Sequence, residues 1–483
     1  MSENKLIFFN KTNKILYKKW SLCIKQKTKT MKDLKNNLLF KIGVIIALIL
    51  ILLIPASMVK NLIHEREDVQ LEAISEVSSK WGNGQTITGP YLSIPYDIYI
   101  KQYSAKDSAY KMMKYKKWMH FMPEKLNING KIDPETRYRG IYQVVVYESK
   151  MNISGVFNKI DFKQFEISKD NIHFDKATLN IGISDLKGIE KQISVNWNDN
   201  KYLFNSGTST KDIVINGVNA DILLNKDSSN YKFDLELDLK GSQNLFFTPI
   251  GKTTDVKMTS NWNSPSFTGT YLPDSREISE DGFSANWNIL HLNRKYPQSW
   301  LGNKYAVDES VFGTNLRLPV DNYQKSYRVA KYAILFLLLT FLVFFFTEIL
   351  NNVFIHPIQY LLVGIALIVF YSLLLAFSEH IKFNLAYIVS AILTLFLITG
   401  YVWASLKSKK IGLLILGILS IMYIFIFSII QMEDYALLIG SIGIFIILGL
   451  VMYFSRKIDW HEIKLGLETK TKSKKVRLED ESF

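Results

Sequence analysis

Residues whose types could support catalysis are sparse in this sequence, and they lack the spacing of the common catalytic sites. A serine nucleophile activated by a lysine requires S-x-x-K together with S-D-N and K-T-G elements. S-x-x-K occurs at Ser108–Lys111 and at Ser229–Lys232, but neither match has those companions. His64–Glu67 shares only the first two letters of the zinc-binding H-E-x-x-H motif. We therefore predict no catalytic residue, no metal site and no cofactor, and keep a Ser/Lys hydrolase as a third hypothesis only.

One row of carboxylates could bind a cation. Between Tyr231 and Lys240, apolar residues alternate with Asp234, Glu236 and Asp238. This pattern is typical of a half-buried strand with one solvated face. Three carboxylates on one side of a strand could hold calcium weakly, but we favour an ordinary solvated face.

The tripeptide Asn-Trp-Asn occurs three times, around Trp197, Trp262 and Trp287. Exposed tryptophans would suit a platform for a sugar or a peptide. A buried tryptophan contributes a large apolar area, while its N–H needs a hydrogen-bond partner. Because the sequence is rich in asparagine generally, we favour packing in the core and at strand ends.

Six ionisable residues lie beside long apolar runs: Glu348, His356, Glu379, His380, Glu433 and Asp434. Inside lipid such residues are rare and functional. These six lie at the ends of the runs, where water can reach them, so helix capping and interfacial anchoring are favoured. A polar path for protons or ions is the alternative.

The apolar runs predict a membrane protein with several spans. The first run, Ile42–Val59, is uncharged and long enough to cross a hydrocarbon core of roughly 30 Å. After a long polar stretch come Tyr332–Thr347, Ile358–Phe377, Leu385–Ser405, Ile411–Ile430 and Tyr435–Phe454. A large domain is therefore inserted between the first and second spans.

The distribution of basic residues predicts the orientation in the membrane. Residues 1–37 carry ten lysines, and Lys407, Lys409 and Lys410 lie between the fourth and fifth spans. Because loops rich in Lys and Arg stay in the cytoplasm, we expect both termini inside and the inserted domain outside. The net charge of +14 arises mostly at these cytoplasmic ends. It therefore indicates membrane lipid as a partner and not nucleic acid.

Two features of the basic arm stay open. The arm could lie on the membrane as an amphipathic helix or be disordered, and translation could start at Met1 or at Met31. The only cysteine, Cys23, falls in this arm. The external domain must therefore be stabilised without a disulfide.

The fold class follows from the patterns between the runs. Asn61–Lys80 has helical spacing and should end before Gly82, and period-two alternation with Asn/Gly/Asp turns follows. We predict an α + β membrane protein with one N-terminal transmembrane helix, a large extracytoplasmic antiparallel, sandwich-like β domain and five C-terminal transmembrane helices. The predicted segments are 1–37 (basic arm), 38–59 (first helix), 60–330 (β-rich domain), 331–455 (five helices) and 456–483 (basic tail).

Several sequence blocks carry a family resemblance. They include Trp81–Tyr96 (WGNGQTITGPYLSIPY), Arg137–Phe157 (RYRGIYQVVVYESKMNISGVF), Ser264–Pro273 (SPSFTGTYLP) and Ile355–Ile388 (IHPIQYLLVGIALIVFYSLLLAFSEHIKFNLAYI). In these blocks, their order and the one-plus-five span layout, the chain resembles the inner-membrane protein CreD family of cell envelope integrity proteins. The resemblance covers roughly Lys35 to Trp460.

The resemblance implies a bacterial inner-membrane protein of the envelope stress response, with a periplasmic domain and without an enzymatic activity or a cofactor. We expect the domain to bind an envelope partner, a periplasmic protein or a cell-wall fragment. A transporter or lipid-handling role of the five-helix block is the alternative. The expected partner-binding loops contain Trp81, Gln85, Pro90, Tyr91, Pro265 and Phe267.

The segment between the domain and the second span, Phe312–Arg328, is expected to pack against Asn61–Lys80 as a stalk. Tyr323, Tyr327 and nearby basic residues would fix its depth at the membrane surface. Pro319 disfavours regular structure at its centre.

Overall fold

The computed structural model describes residues 38–104, 109–224, 230–316, 318, 322–351, 353–432 and 435–456. The chain forms two compact units. One unit is Asp68–Asp321, and the other combines Met1–Glu67 with Asn322–Phe483. The basic arm and tail lie outside the described residues, so their predicted conformations stay predictions.

The first helix, α1 (Leu38–Trp81), is one continuous helix of 44 residues. It joins the predicted first span to the predicted helix at Asn61–Lys80, which confirms both. The helix ends where predicted, because Gly82 takes φ +152° and a Cβ there would lie 2.9 Å from the Lys240 carbonyl oxygen. Only glycine adopts this backbone conformation freely.

The remaining helices are α2 (Asn322–Lys331), α3 (Ala333–Asn351), α4 (Pro357–Ser378), α5 (Phe383–Leu406), α6 (Lys409–Gln431) and α7 (Ala436–Ser455). Among the described residues, six helices are long and apolar enough to cross a membrane: α1 and α3 to α7. This confirms the predicted one-plus-five layout. Helix α4 packs on α5, and α5 packs on α6.

The expected contact between the segments that flank the inserted domain is present. The ring centroids of His64 in α1 and Tyr327 in α2 are 4.7 Å apart. Part of the linking segment is regular, since Phe312–Leu316 is a strand and α2 begins at Asn322. Pro319 lies outside the described residues.

The regular structure of the inserted domain is mainly strands, with short 3-10 helices between some of them. The strands are β1 (Gln85–Ser104), β2 (Ala109–Phe121), β3 (Lys125–Arg139), β4 (Tyr142–Asn158), β5 (Thr178–Ile183), β6 (Ser194–Trp197), β7 (Asn200–Leu203), β8 (Asn205–Ser206), β9 (Gly217–Asp221), β10 (Asn230–Ser242), β11 (Asn244–Phe247), β12 (Thr253–Ser260), β13 (Pro265–Gly269), β14 (Ser275–Ser279), β15 (Gly282–Leu290), β16 (Ser299–Leu301) and β17 (Phe312–Leu316).

The described strands form two sheets. The nine-stranded sheet follows the order β13-β17-β11-β1-β5-β9-β8, with β2 paired to β1 and β16 paired to β2, and the eight-stranded sheet follows β14-β15-β12-β3-β4-β10-β6-β7. Inward side chains of both sheets, such as Tyr91 and Trp287, belong to one hydrophobic core. The sandwich-like prediction is therefore confirmed. The sheets are mixed, however, because β1 pairs with β11 and β3 with β12 in parallel.

The residues that the alternating pattern predicted to face the core are buried. In β10, Phe233, Leu235, Leu237 and Leu239 are buried. Trp197 and Trp287 are also buried, so these two Asn-Trp-Asn tripeptides are core positions. The alternative of an exposed aromatic platform is wrong for both, since every second side chain of a strand faces the core.

The expectation that residues 81–96 form an exposed loop is wrong. Gln85, Pro90 and Tyr91 are buried in β1. The Gly89–Pro90 peptide bond is cis, and the register with β5 shifts at this point. Gly and Pro here belong to a β-bulge within a central strand and not to a loop. Pro265 and Phe267 are partly buried in the edge strand β13, with the Phe267 ring packed on the core.

Candidate functional site

A polar groove of about 600 Å³ lies on the open face of the eight-stranded sheet. Strands β3, β4, β10 and β12 form it, and Lys191 closes one side. The lining residues are Asn129, Gly130, Lys131, Lys150, Met151, Asn152, Lys191, Glu236, Asp238, Lys257 and Thr259.

Strand pairing arranges the polar side chains of the groove in two rows. The first row is Lys257, Asn129, Asn152 and Glu236, and the second is Thr259, Lys131, Lys150 and Asp238. Paired residues of neighbouring strands share a face of the sheet. The residues between them, such as Met258 and Leu237, are buried in the core. The two rows must therefore face away from the core.

The groove carries charges of both signs. Lys191 Nζ lies 2.6 Å from Asp238 Oδ2, and this hydrogen bond raises the pKa of Lys191. Within the part of the chain that the structure describes, the exposed ammonium groups of Lys150 and Lys257 form no ion pair. Ammonium groups donate, carboxylates accept, and the amides of Asn129 and Asn152 do both. The groove can therefore bind a polar ligand that carries hydroxyl, carboxylate and amine groups.

A Ser–His–Asp arrangement, which the sequence did not reveal, lies inside the domain. Ser93 Oγ is 2.9 Å from His120 Nδ1, and His120 Nε2 is 3.2 Å from Asp212 Oδ2. The order of contacts is reversed relative to a serine hydrolase, in which the serine faces Nε2. Ser93 and His120 are fully buried. A substrate cannot reach this serine, so the three residues form a structural hydrogen-bond network.

The described residues support neither of the two other sites considered in the sequence, the Ser/Lys hydrolase site and the calcium site. Ser108 and Ser229 of the S-x-x-K matches lie outside the described residues. Among the described side chains, no group of three or more His, Cys, Asp and Glu residues could hold a metal ion. Weak calcium binding by the carboxylates of β10 therefore has no support.

Trp81 lies in a second, smaller pocket of about 290 Å³ at the end of α1. Its indole N–H donates to the Tyr147 carbonyl oxygen over 3.3 Å. The Arg137 guanidinium lies 3.7 Å and Lys240 Nζ 4.5 Å from the centroid of its ring. Such cation–π contacts stabilise a side chain in place. Trp81 thus anchors the helix end, and a partner would meet only its outer edge.

Glu348 is buried among the membrane helices, and both of its carboxylate oxygens have partners. Lys41 of α1 forms an ion pair with Oε1, which also accepts from the Ile355 N–H at 3.1 Å. The Tyr360 hydroxyl donates to Oε2 at 3.2 Å. The carboxylate therefore connects α1, α3 and α4 at one end of the helices.

The other predicted polar residues lie at helix ends. His356 caps α4, because its Nδ1 accepts from the Ile358 N–H at 3.3 Å. At the opposite end, Glu379 accepts from the Tyr323 hydroxyl at 3.1 Å and lies 3.8 Å from Arg66 Nε. His380 is exposed beside it. Glu433 and Asp434 lie outside the described residues.

Helix α4 separates these two polar groups by its 22 residues, about 33 Å at 1.5 Å per residue. The space between contains buried hydroxyls. The Tyr387 hydroxyl of α5 donates to the Tyr423 carbonyl oxygen of α6 at 2.8 Å, and Ser390 of α5 and Tyr371 of α4 are also buried. The predicted polar residues therefore form two clusters and not one continuous site.

Comparison with known proteins identifies the family. The "Inner membrane protein CreD" family profile matches residues 37–461. The Inner membrane protein CreD of Escherichia coli (strain K12) is 31% identical over 463 residues, which cover 93% of this chain and 99% of that protein. The chain belongs to the CreD family. It is accordingly a multi-pass membrane protein. This confirms the resemblance seen in the sequence blocks.

A solved structure of an M1 zinc metallopeptidase mutant from Deinococcus radiodurans also shows a likeness. It is 8% identical, covers 44% of this chain and 53% of that chain, and has a TM-score of 0.19. A likeness this weak carries no argument for the CreD-family chain.

The groove was not among the predicted site residues of this CreD-family protein. Its members come from β3, β4, β10 and β12, which are distant in sequence. Only the alternation around Asp234–Asp238 signalled a polar face. The pairing that adds Asn129, Asn152 and Lys257 to this face is a tertiary feature, so no local pattern could reveal the groove.

Proposed function

We propose that this CreD-family protein is a non-enzymatic inner-membrane protein that maintains cell envelope integrity by binding an envelope ligand. The inserted domain would lie on the periplasmic side. The observation that supports binding is the groove with its two rows of polar side chains. Ser93, which lies beside His120 and through it Asp212, is fully buried, and this burial supports a function without catalysis.

The chemistry of the groove favours a cell-wall fragment as the ligand. Lys150 and Lys257 offer exposed ammonium groups, Glu236 offers a carboxylate, and two asparagines offer amides. Glycan hydroxyls and the carboxylates and amines of short cell-wall peptides match these groups. A periplasmic protein is the alternative envelope partner.

The test is calorimetric titration of the full-length protein in nanodiscs with soluble disaccharide-peptide fragments of the cell wall. We expect binding by the natural protein. Replacing Lys150 and Lys257 together by Gln should weaken it about tenfold or more, since each removes hydrogen bonds to a charged group.

Lys201 and Lys232 provide a matched control, because both are exposed on the same sheet outside the groove lining. Replacing both by Gln should leave the affinity unchanged. Absence of binding by the natural protein, or equal weakening in the control, would reject the cell-wall proposal.

A transport or lipid-handling role is a second candidate, supported by the buried hydroxyls of Tyr371, Tyr387 and Ser390 between the two polar clusters. Buried polar side chains within membrane helices mark pathways for polar groups in transporters. Tyr387→Phe should then abolish the envelope phenotype while the protein's abundance is unchanged. A parallel loss of abundance would indicate a structural role instead.

A further inference from the structure

The strands β1 and β2 extend beyond the rest of the sheet as a two-stranded hairpin. Their pairing continues from Leu92–Phe121 to Ser104–Ala109. Strand β5 pairs with β1 only as far as Ser93, and β16 pairs with β2 only at 119–121. Among the described strands, residues 98–104 and 109–115 thus pair only with each other. At about 3.3 Å per residue, seven residues extend about 23 Å.

This hairpin exposes an unusual amount of apolar surface. Seven large side chains are between 41% and 74% exposed: Tyr99, Ile100, Tyr103, Tyr110, Met112, Met113 and Tyr115. Soluble surfaces rarely present so many apolar side chains together. A contiguous apolar patch of this kind indicates an interaction surface.

The apolar side chains lie on both faces of the hairpin. Ile100 and Met113 are paired on one face. Tyr103 and Tyr110 are paired on the other, with ring centroids 5.4 Å apart. A flat protein partner or a second copy would cover one face and leave the other in water. Insertion into the interfacial layer of a bilayer covers both faces at once.

The positive charge of the hairpin favours an anionic bilayer. From Asp97 to Lys117 the sequence has six lysines and two aspartates. Asp97 is already bound by Lys114 at 2.8 Å and by His173 at 2.7 Å. Lysines on an exposed strand can simply prevent edge-to-edge aggregation. That role does not explain the tyrosines and methionines beside them, whereas tyrosine with lysine is the composition of membrane interfaces.

We infer that the hairpin of residues 98–104 and 109–115 inserts its tyrosines and methionines into the headgroup region of an anionic phospholipid bilayer, with Lys101 and the adjoining Lys116 on the lipid phosphates. This contact is independent of the groove and of the ligand proposed for it.

The test uses the full-length protein in nanodiscs with Cys23→Ser as background. An environment-sensitive dye on Met112→Cys reports on the hairpin, and the same dye on Ile215→Cys, where the natural side chain is 72% exposed, is the control. Nitroxide lipids are placed either in the nanodisc or in added vesicles, each with and without phosphatidylglycerol. We expect quenching of the dye at position 112, and none at position 215, in one of the two anionic membranes.

Quenching by nitroxide lipids in the nanodisc would show that the hairpin contacts the protein's own bilayer. Quenching by nitroxide lipids in the added vesicles would show that it contacts a second, apposed bilayer. In the membrane that quenches the dye, Lys101→Gln and Lys116→Gln should each weaken the contact about fivefold, the effect of one lysine near an anionic surface. Tyr103→Ser with Tyr110→Ser should abolish quenching while the melting temperature is retained. Absence of quenching in every membrane, or equal quenching at position 215, would overturn the inference.

Discussion

At the scale of single residues, the ion pair between Lys41 and Glu348 connects two of the membrane helices. The two side chains pair where both are largely removed from water. Breaking a buried pair leaves an uncompensated charge and costs about 3–5 kcal/mol. We therefore expect Glu348→Ala to lower the stability of the full-length protein in detergent by this order, measured as a lower melting temperature.

Removing both charges provides the control for this prediction. Lys41→Met combined with Glu348→Gln should regain part of the lost stability, because no charge is left uncompensated and the glutamine oxygen can still accept from the Ile355 N–H. If Glu348→Ala melts like the natural protein, the pair contributes little and Glu348 is free to serve another role.

Asp212 should make the stability of the inserted domain depend on pH. The hydrogen bond from His120 lowers the pKa of Asp212 below its unfolded value of about 3.9. A group with a depressed folded pKa stabilises the fold above the unfolded pKa, and this contribution is lost as the pH falls through the folded pKa. We expect Asp212→Asn to be less stable at pH 7 by about 1.5 kcal/mol.

The measurement is the free energy of unfolding of both proteins between pH 7 and pH 3, followed by tryptophan fluorescence. The difference between them should be constant above about pH 5 and shrink below it. A difference that is the same at pH 3 and pH 7 would show that the Asp212 carboxylate is not stabilised by its charge.

At the scale of elements, two neighbouring residues of β6 lie on opposite faces of the sheet, one in the core and one in solvent. Trp197 is buried and stacks on Tyr231, with centroids 5.3 Å apart, whereas Asn196 is exposed. Trp197→Ala should destabilise the domain by about 3–5 kcal/mol through the cavity it leaves. Asn196→Ala should change stability by no more than about 0.5 kcal/mol. Thermal unfolding of both variants measures the contrast, and equal effects would contradict the assignment.

Local periodicity accounts for the elements that the sequence predicted correctly. The six apolar runs and the alternation in β10 depend on side chains a few residues apart, so they can be read directly. Gly89 and Pro90 misled the prediction, because the same residues signal a loop and a β-bulge. The burial of β1 on both sides distinguishes the two, and this is visible only in the assembled sheet.

The groove could not be predicted from the sequence, because it depends on pairing between strands that are distant in the chain. Strand β12 lies beside β3 in parallel, with Thr253 opposite Lys125. Nothing near either residue specifies that neighbour. The groove depends on this pairing, and so its asparagines and lysines looked like scattered surface residues. The hairpin was hidden for a different reason, because exposure on both faces cannot be inferred from sequence alone.

At the scale of the whole molecule, the orientation in the membrane is the property on which the proposed function depends. Lys407, Lys409 and Lys410 lie between α5 and α6, and ten lysines precede α1. Because basic segments remain in the cytoplasm, both termini should be inside and the inserted domain outside. The chain offers its own internal marker, since Cys23 is the only natural cysteine and lies in the basic arm.

We expect a membrane-impermeant maleimide to label Glu277→Cys, at an exposed position of β14, in cells whose outer membrane has been removed but whose inner membrane is intact. Cys23 should react only after the inner membrane is opened, because the bilayer and the predicted topology separate it from the reagent. Cys23→Ser in the same protein identifies the labelled site. Labelling of Cys23 in intact cells, with Glu277→Cys protected, would place the groove in the cytoplasm. A cell-wall ligand could not reach it there, and the proposed function would have to be abandoned.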